Sequence, residues 1–250
     1  MIKKILRRVL CTLISGLLLG IIIDSSIENI IIDKKISEFK NKGILDEELS
    51  SSTEKYYKVS RETWMIEKSS YFIKNKQMYY GNSGDIILSL ESTLNEFPIA
   101  YDLTSFMFGG HCSFVCYSGI YNNLYVDNTY HIESTVGDGV CFSKGDFWND
   151  NKYRSEVIGL RLKIDDDKIK SVFEEMTKQL DKKYNNTFIF NTKNTYYCSD
   201  LITRSFEKFG YDINYDGFYS SIQDIICSDL TYISFYKKYS KGITYYYYLE

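Results

Sequence analysis

The spacing of apolar and polar positions along the chain predicts a mixture of strands and helices. Short apolar or alternating runs between turn residues are typical of strands, and they occur at 86–89, from 111 onward, and at 124–126, 130–134, 157–162, 231–236 and 243–248. Apolar residues three or four positions apart are typical of helices, and they occur at 92–107, 168–180 and 198–209. This mixture predicts an α+β fold, in which we expect the tyrosine-rich run 245–248 to form an edge or end strand.

The N-terminal 23 residues have the pattern of a membrane-targeting segment. Four basic residues at positions 3, 4, 7 and 8 precede an uncharged, mostly apolar run at 9–23. The run is shorter than the roughly 20 residues that cross a bilayer, but it has the length and flanks of a signal peptide. No small-x-small cleavage site follows it, so an uncleaved signal anchor is equally consistent with the pattern. The alternative is an amphipathic first helix packed on the domain.

This pattern predicts a single-pass membrane protein with its domain outside the cytoplasm, or a secreted protein. Residues 24–60 are polar and charged, and we interpret them as a stalk that contains one helix and carries no chemistry. The remaining residues, 61–250, are expected to form one domain.

Composition excludes several classes of protein. A length of 250 residues and an apolar share of 44% allow one core of ordinary size. A net charge of -3 does not indicate the excess of basic residues that is typical of nucleic-acid-binding proteins. Six cysteines without a CxxC pair, beside only two histidines, do not indicate a disulfide framework. Cys112 and Cys116 with His111 suggest a metal site only weakly, because no second ligand pair occurs. No metal ion or cofactor is therefore expected.

The most informative stretch is the predicted helix that begins near Cys198. A cysteine at a helix N-terminus faces unpaired backbone N–H groups and the positive end of the helix dipole, and both stabilise a thiolate. A thiol nucleophile also needs a base and a group that orients the base. His111, at the start of a strand after two glycines, is the candidate base, and Glu133 is the candidate orienting acid. A buried structural cysteine is the alternative for Cys198.

Two further residues compete for these roles. Cys227 lies in a second Cys-Ser-Asp-Leu string, but a strand-like alternation follows it instead of an amphipathic helix. His131 is the other histidine, and it lacks the Gly-Gly pair that precedes His111. We therefore favour Cys198 and His111.

Several short motifs together carry a resemblance to a known family. In chain order they are Gly84-Asp85-Ile86-Ile87, Gly110-His111, Ile132-Glu133, Leu160-Arg161-Leu162 and Tyr197-Cys198-Ser199-Asp200. This order resembles the circularly permuted branch of the NlpC/P60 papain-like superfamily, and within it the YiiX/YebB-like cysteine hydrolases, over about residues 80–230. In that branch the histidine strand precedes the nucleophile helix, as it does here.

The resemblance implies an antiparallel sheet or half-barrel packed against the nucleophile helix, with Cys198 as nucleophile, His111 as base and Glu133 as orienting acid. Family members usually have Val-Gly after the histidine, where this chain has Cys112-Ser113, and Glu in place of Asp200. The implied activity is thiol hydrolysis of an amide bond, and an extracytoplasmic location favours peptidoglycan peptides as substrates. A lipid or acyl-thioester substrate is the alternative, and a non-catalytic binding module is a third possibility.

Overall fold

The computed structural model describes residues 2–91, 102, 104–107, 109–187, 192–217 and 219–250. The helices with printed bounds are α1 (Ile2–Asn41), α2 (Asp166–Thr177), α3 (Cys198–Glu207) and α4 (Ile222–Cys227), besides a 3₁₀ helix at Gly145–Asn149; residues 104–107 are also helical. The strands of the main sheet are β1 (Gly43–Leu45), β2 (Glu54–Val59), β5 (Ile86–Ser89), β6 (His111–Val115), β9 (Tyr130–Thr135), β10 (Gly139–Lys144), β11 (Glu156–Leu162), β14 (Thr231–Ser240) and β15 (Ile243–Leu249). Shorter ribbons contain β3 (Tyr71–Lys74), β4 (Gln77–Tyr80), β7 (Gly119–Tyr121), β8 (Leu124–Val126), β12 (Lys183–Tyr184) and β13 (Thr195–Tyr196).

The main sheet has nine strands in the order β1-β2-β15-β14-β11-β5-β6-β9-β10. Adjacent strands of this sheet pair antiparallel, except β15 and β2, which pair parallel. The α+β class and the predominantly antiparallel sheet predicted from the sequence are both confirmed. Most predicted strands and the helix at 168–180 are found close to the expected bounds, whereas the predicted helix at 92–107 lies largely outside the described residues.

The two faces of the sheet have separate hydrophobic cores. On one face the helices pack over Phe114, Ile132 and Leu160. The other face is covered by the 3₁₀ helix and the β3–β4 ribbon, whose Trp148 and Tyr80 contact an aromatic-rich cluster on the strands. Because side chains alternate along a strand, each central strand contributes to both cores.

Residues 24–60 do not form a separate stalk, so the structure differs here from the expectation. The second half of α1 buries Ile32, Ile36 and Phe39 in the core, and β2 pairs with β15 along six residues. The polar composition of this segment concealed three apolar positions at helical spacing, which place one face of α1 on the domain. The domain therefore begins within α1, well before residue 61.

The tyrosine-rich strand is not at an edge, which is a second difference. β15 lies between β14 and β2, and Tyr246 and Tyr247 stack on Tyr56 and Tyr57 with ring centroids 4.7 and 4.5 Å apart. Of these two neighbours, β2 comes from a part of the chain nearly 200 residues away from β15.

The first half of α1 exposes its apolar side chains. Leu10, Leu13, Leu17 and Ile23 are all about half exposed or more. By length and composition this helix is able to cross a membrane, although a signal sequence meets the same criterion.

Candidate active site

Cys198 is the first residue of α3, as the sequence predicted. The preceding residue, Tyr197, is extended, with φ -96° and ψ 175°. Leu201, Ile202 and Phe206 anchor the buried face of this helix against the sheet. Cys198 itself is 7% exposed, and it stands at the helix end where the first backbone N–H groups have no partner within the helix.

His111 is the first residue of β6, and the glycine before it has a steric reason. A Cβ on Gly110 would lie 1.7 Å from the carbonyl oxygen of Glu91. Only glycine allows these two backbone segments to approach so closely. In this arrangement β6 enters the sheet with His111 paired opposite Ser89 of β5.

The structure brings the predicted thiol, imidazole and carboxylate together. His111 Nε2 lies 2.5 Å from Oε2 of Glu133, which projects from the neighbouring strand β9. The Cys198 side chain lies near the same imidazole and is among the groups that raise the pKa of this ring. Because Nε2 is engaged by the carboxylate, Nδ1 is the nitrogen left to face the sulfur. All three side chains are buried.

The electrostatics of these three groups favour a thiolate and an imidazolium. A hydrogen bond from the Cys112 thiol and the charge of His111 hold the pKa of Cys198 well below its usual range, although burial opposes them. Burial would lower the pKa of His111, but the Glu133 carboxylate and the Cys198 sulfur raise it to about 9. Burial likewise opposes the charged form of Glu133, and the His111 charge outweighs it and lowers the pKa of this carboxyl.

The competing residues lie in different surroundings. His131 Nδ1 is 2.7 Å from Ser113 Oγ and accepts a hydrogen bond from Trp148 Nε1 at 3.1 Å. Burial lowers the pKa of His131 to about 4, so this ring is neutral. Cys227 is the last residue of α4, where its thiol donates to the carbonyl of Glu28 at 3.6 Å and burial raises its pKa to about 12. Neither residue has the environment of a nucleophile or its base.

Trp148 and Cys112 are site residues that sequence reasoning missed. The Trp148 ring stacks on the His111 imidazole with centroids 5.8 Å apart and an angle of 15°. Its Nε1–H is held by Ser113 Oγ at 3.1 Å, which fixes the plane on which the imidazole rests. No motif marked Trp148, since it lies on a 3₁₀ helix between strands. Cys112 entered the sequence analysis as a weak metal-ligand candidate and as a departure from the family pattern, and it is the residue next to His111.

Two residues of the family-like motifs have a structural role. Arg161 donates to both carboxylate oxygens of Asp85, at 2.9 and 2.7 Å, and to the carbonyls of Lys68 and Ser69. Both side chains are almost completely buried. This bidentate pair joins β11 to the turn before β5, the strand that pairs with β6.

Within the described ranges, no group of three or more His, Cys, Asp and Glu side chains is arranged to hold a metal ion. Cys112 and Cys116 are both buried in the helix-side core.

A thiol at a helix start, held against an imidazole and a carboxylate from two adjacent antiparallel strands, is the arrangement of papain-like cysteine hydrolases. Residues 80–237 match the family described as permuted papain-like amidase enzyme, YaeF/YiiX, C92 family. The match spans more than half of the chain, and the chain belongs to this family. The resemblance to YiiX-like permuted papain-like enzymes seen in the sequence is thereby confirmed.

A solved structure also shows similarity. The metalloprotein yiiX from Escherichia coli O157:H7 is 13% identical, with a TM-score of 0.45, over 61% of this chain and 95% of that one. No curated protein matches the sequence.

Proposed function

We propose that this protein is a cysteine amidase in which Cys198, His111 and Glu133 carry out acyl-enzyme chemistry. The observation that carries the proposal is the contact of one imidazole with both a carboxylate and a thiol at a helix start. Membership of a family of permuted papain-like amidases supports the same reaction class.

In the proposed mechanism, the Cys198 thiolate attacks the carbonyl carbon of an amide. The backbone N–H of Cys198, at the free end of α3, donates to the developing oxyanion; losing one such donor typically costs about 10²–10³ in rate. His111 then gives its proton to the leaving amine, and Glu133 keeps the ring oriented and stabilises its charge. Water attacks the acyl-enzyme with the now neutral His111 as base, which restores the thiolate and imidazolium.

The proposed substrate is a peptide of the cell wall. This proposal rests on the apolar, exposed first half of α1, which would anchor the chain in the cell membrane with its domain outside the cytoplasm, or direct its secretion. The substrate would then be an extracytoplasmic amide, and peptidoglycan peptides are the abundant amides there.

One observation favours a second substrate class. The apolar half of α1 continues without a break into the half that packs on the domain. A domain attached in this way sits at the membrane surface instead of on a stalk, which suits a lipid amide, ester or acyl-thioester. By contrast, a binding module without catalysis would not need Cys198 and His111 in contact.

The experiment compares two cysteines with the same local sequence. Purified protein and its Cys198→Ala and Cys227→Ala variants are incubated with muropeptides, and separately with vesicles containing acylated lipids. Mass spectrometry identifies the products. We expect cleavage of muropeptides by the wild type and by Cys227→Ala, and none by Cys198→Ala. Cleavage that survives in Cys198→Ala would refute the proposed nucleophile, and release of acyl groups without muropeptide cleavage would assign the lipid substrate.

Iodoacetamide tests the thiolate independently of the substrate. Cys198 should react faster than the other cysteines, and His111→Ala should slow it. Equal labelling of Cys198 in wild type and His111→Ala would discard the mechanism.

A further inference from the structure

Lys237 is a buried lysine on the interior strand β14, with 1% of its surface exposed. Because side chains alternate along a strand, it shares a face with Phe235, which lies in the same core as Trp148. Lysine is almost never fully buried unless it is paired, since removing its charge from water is unfavourable. Burial lowers the pKa of this ammonium to about 8, and the charges of Glu91 and Asp150 oppose that effect.

The hydrogen bonds of Lys237 fix one segment of the chain. Its Nζ donates to the backbone carbonyls of Trp148 at 3.2 Å and Arg154 at 3.1 Å. Trp148 lies on the 3₁₀ helix, and Arg154 lies in the turn before β11, where its N–H donates to the Asp150 carbonyl at 2.8 Å. A single ammonium therefore ties both ends of the segment 148–154 to β14.

The Arg154 side chain packs on two aromatic rings next to this segment's start. Its guanidinium carbon lies 4.8 Å from the centroid of the Phe147 ring and 5.4 Å from a ring centroid of Trp148. The side chain is buried, and its Nη1 donates to the carbonyl of Tyr153 at 2.9 Å. A cation–π contact is stronger when the cation is removed from water, so Arg154 holds both rings in place.

The same two rings contact the proposed base. Trp148 stacks on the His111 imidazole with centroids 5.8 Å apart, and Phe147 meets that imidazole edge-on at 6.1 Å. In addition to the hydrogen bond at Nε1 described above, the Trp148 residue is held at its backbone by Lys237 and at its ring by Arg154. The indole cannot tilt without breaking one of these contacts, and the imidazole that rests on it is fixed as well.

We propose that Lys237 and Arg154 are positioning residues that act on His111 through Trp148. Their role rests on the proposed function, in which the imidazole must give its proton to the leaving amine. A misplacement of about 1 Å in a reacting group can reduce the rate about 10²-fold. We expect Lys237→Met and Arg154→Met to lower kcat about 10²-fold and to leave KM nearly unchanged, because the contacts that bind the substrate are retained.

The fluorescence of Trp148 reports the stacking without a substrate, in the full-length protein in detergent. The chain has two tryptophans, and Trp64→Phe, which changes a half-exposed ring packed on Tyr232, leaves Trp148 alone. An imidazolium in contact with an indole quenches its emission more strongly than a neutral imidazole does. Emission should therefore rise as the pH passes through the pKa of His111, about 9. His111→Ala should abolish this rise.

Variants of β14 and of the turn test the two positioning residues. Lys237→Met and Arg154→Met, each made in the Trp64→Phe protein, should lose most of the rise in emission. Lys238→Met is the matched control, because it makes the same change at the next residue of the strand, where the ammonium pairs with Glu156. This control should keep both the rise and kcat.

A rise of wild-type size in Lys237→Met and Arg154→Met, with circular dichroism showing that both are folded, would overturn the proposal. A lost rise with an unchanged kcat would overturn it as well. Should Lys237→Met fail to fold, Lys237→Gln, which is shorter and uncharged, takes its place. Because emission is read without a substrate, a normal rise in variants of an active enzyme refutes the positioning role alone. A lost rise in variants of a protein that cleaves no amide refutes the proposed function alone.

Discussion

Replacing Glu133 by glutamine separates two effects of this carboxylate on the imidazole. Glu133 is 5% exposed, and its Oε2 lies 2.5 Å from His111 Nε2. The glutamine side chain has nearly the same size, and its amide oxygen still accepts a hydrogen bond from Nε2–H. The orientation of the ring is therefore retained, and only the negative charge is removed.

The expected magnitude follows from the pKa of His111. It is raised from 6.5 to about 9 although burial acts in the opposite direction. At about 1.4 kcal/mol for each tenfold change, this corresponds to roughly 3 kcal/mol in favour of the imidazolium. Without the Glu133 charge, burial is opposed mainly by the Cys198 contact, and the pKa of His111 falls toward or below 6.5. The ring is then largely neutral above neutral pH.

A neutral ring no longer stabilises the Cys198 thiolate. In the wild type the thiolate persists from the alkaline range down through neutral pH, because its pKa lies well below the ordinary value of 9.0. In Glu133→Gln the pKa of Cys198 rises toward that value, and the thiolate is lost as the pH falls through it. Since alkylation follows the thiolate fraction, we expect a rate about 10²-fold lower near neutral pH.

The assay is the rate of iodoacetamide labelling of Cys198 between about pH 5 and about pH 9, followed by peptide mass spectrometry. The wild-type rate should be nearly constant above neutral pH, and the variant rate should increase with pH throughout. Glu156→Gln is the control, because Glu156 is a partly buried carboxylate that contacts Tyr236 and Lys238 instead of the site. Superimposable pH profiles for wild type and Glu133→Gln would refute the electrostatic role of this carboxylate.

The other predictions concern the scaffold and helix α1. Asp85→Asn leaves a buried arginine without its counter-charge and should lower the free energy of unfolding by about 3–5 kcal/mol in urea denaturation; a loss below about 1 kcal/mol would contradict a buried ion pair. Gly110→Ala displaces the start of β6 and should reduce kcat/KM about 10²-fold. Gly16→Ala, whose methyl meets nothing within 4 Å, should leave kcat/KM unchanged. Deleting 2–23 should release the protein from membranes with its circular dichroism intact. Deleting 2–41 should unfold it, because three core side chains worth about 2–5 kcal/mol each are lost, and a folded 42–250 fragment would show that α1 is dispensable.

The sequence predicted a strand or helix correctly wherever the pattern of apolar and polar residues within one short segment was enough to define it. Alternation at 130–134 and apolar spacing at 168–180 are local properties, and both elements formed nearly as predicted. Asn122 and Asn123 form the tight turn between β7 and β8, where both residues adopt positive φ, which asparagine tolerates. The interior position of β15 and the packing of α1 depend on partners far away in the chain, so composition alone misjudged them.

For the candidate site too, the sequence determined some features and the tertiary structure determined others. The sequence by itself determined which chemical groups are available: a cysteine at a helix start, a histidine at a strand start after two glycines, and a glutamate on a neighbouring strand. Only the tertiary structure decided that the His111 ring lies beside both Glu133 and Cys198 and that Trp148 supports it. The physical reason is that the pKa of a buried group depends on charges and hydrogen bonds within a few ångströms, and distances of that kind between remote segments are set by how the sheet assembles.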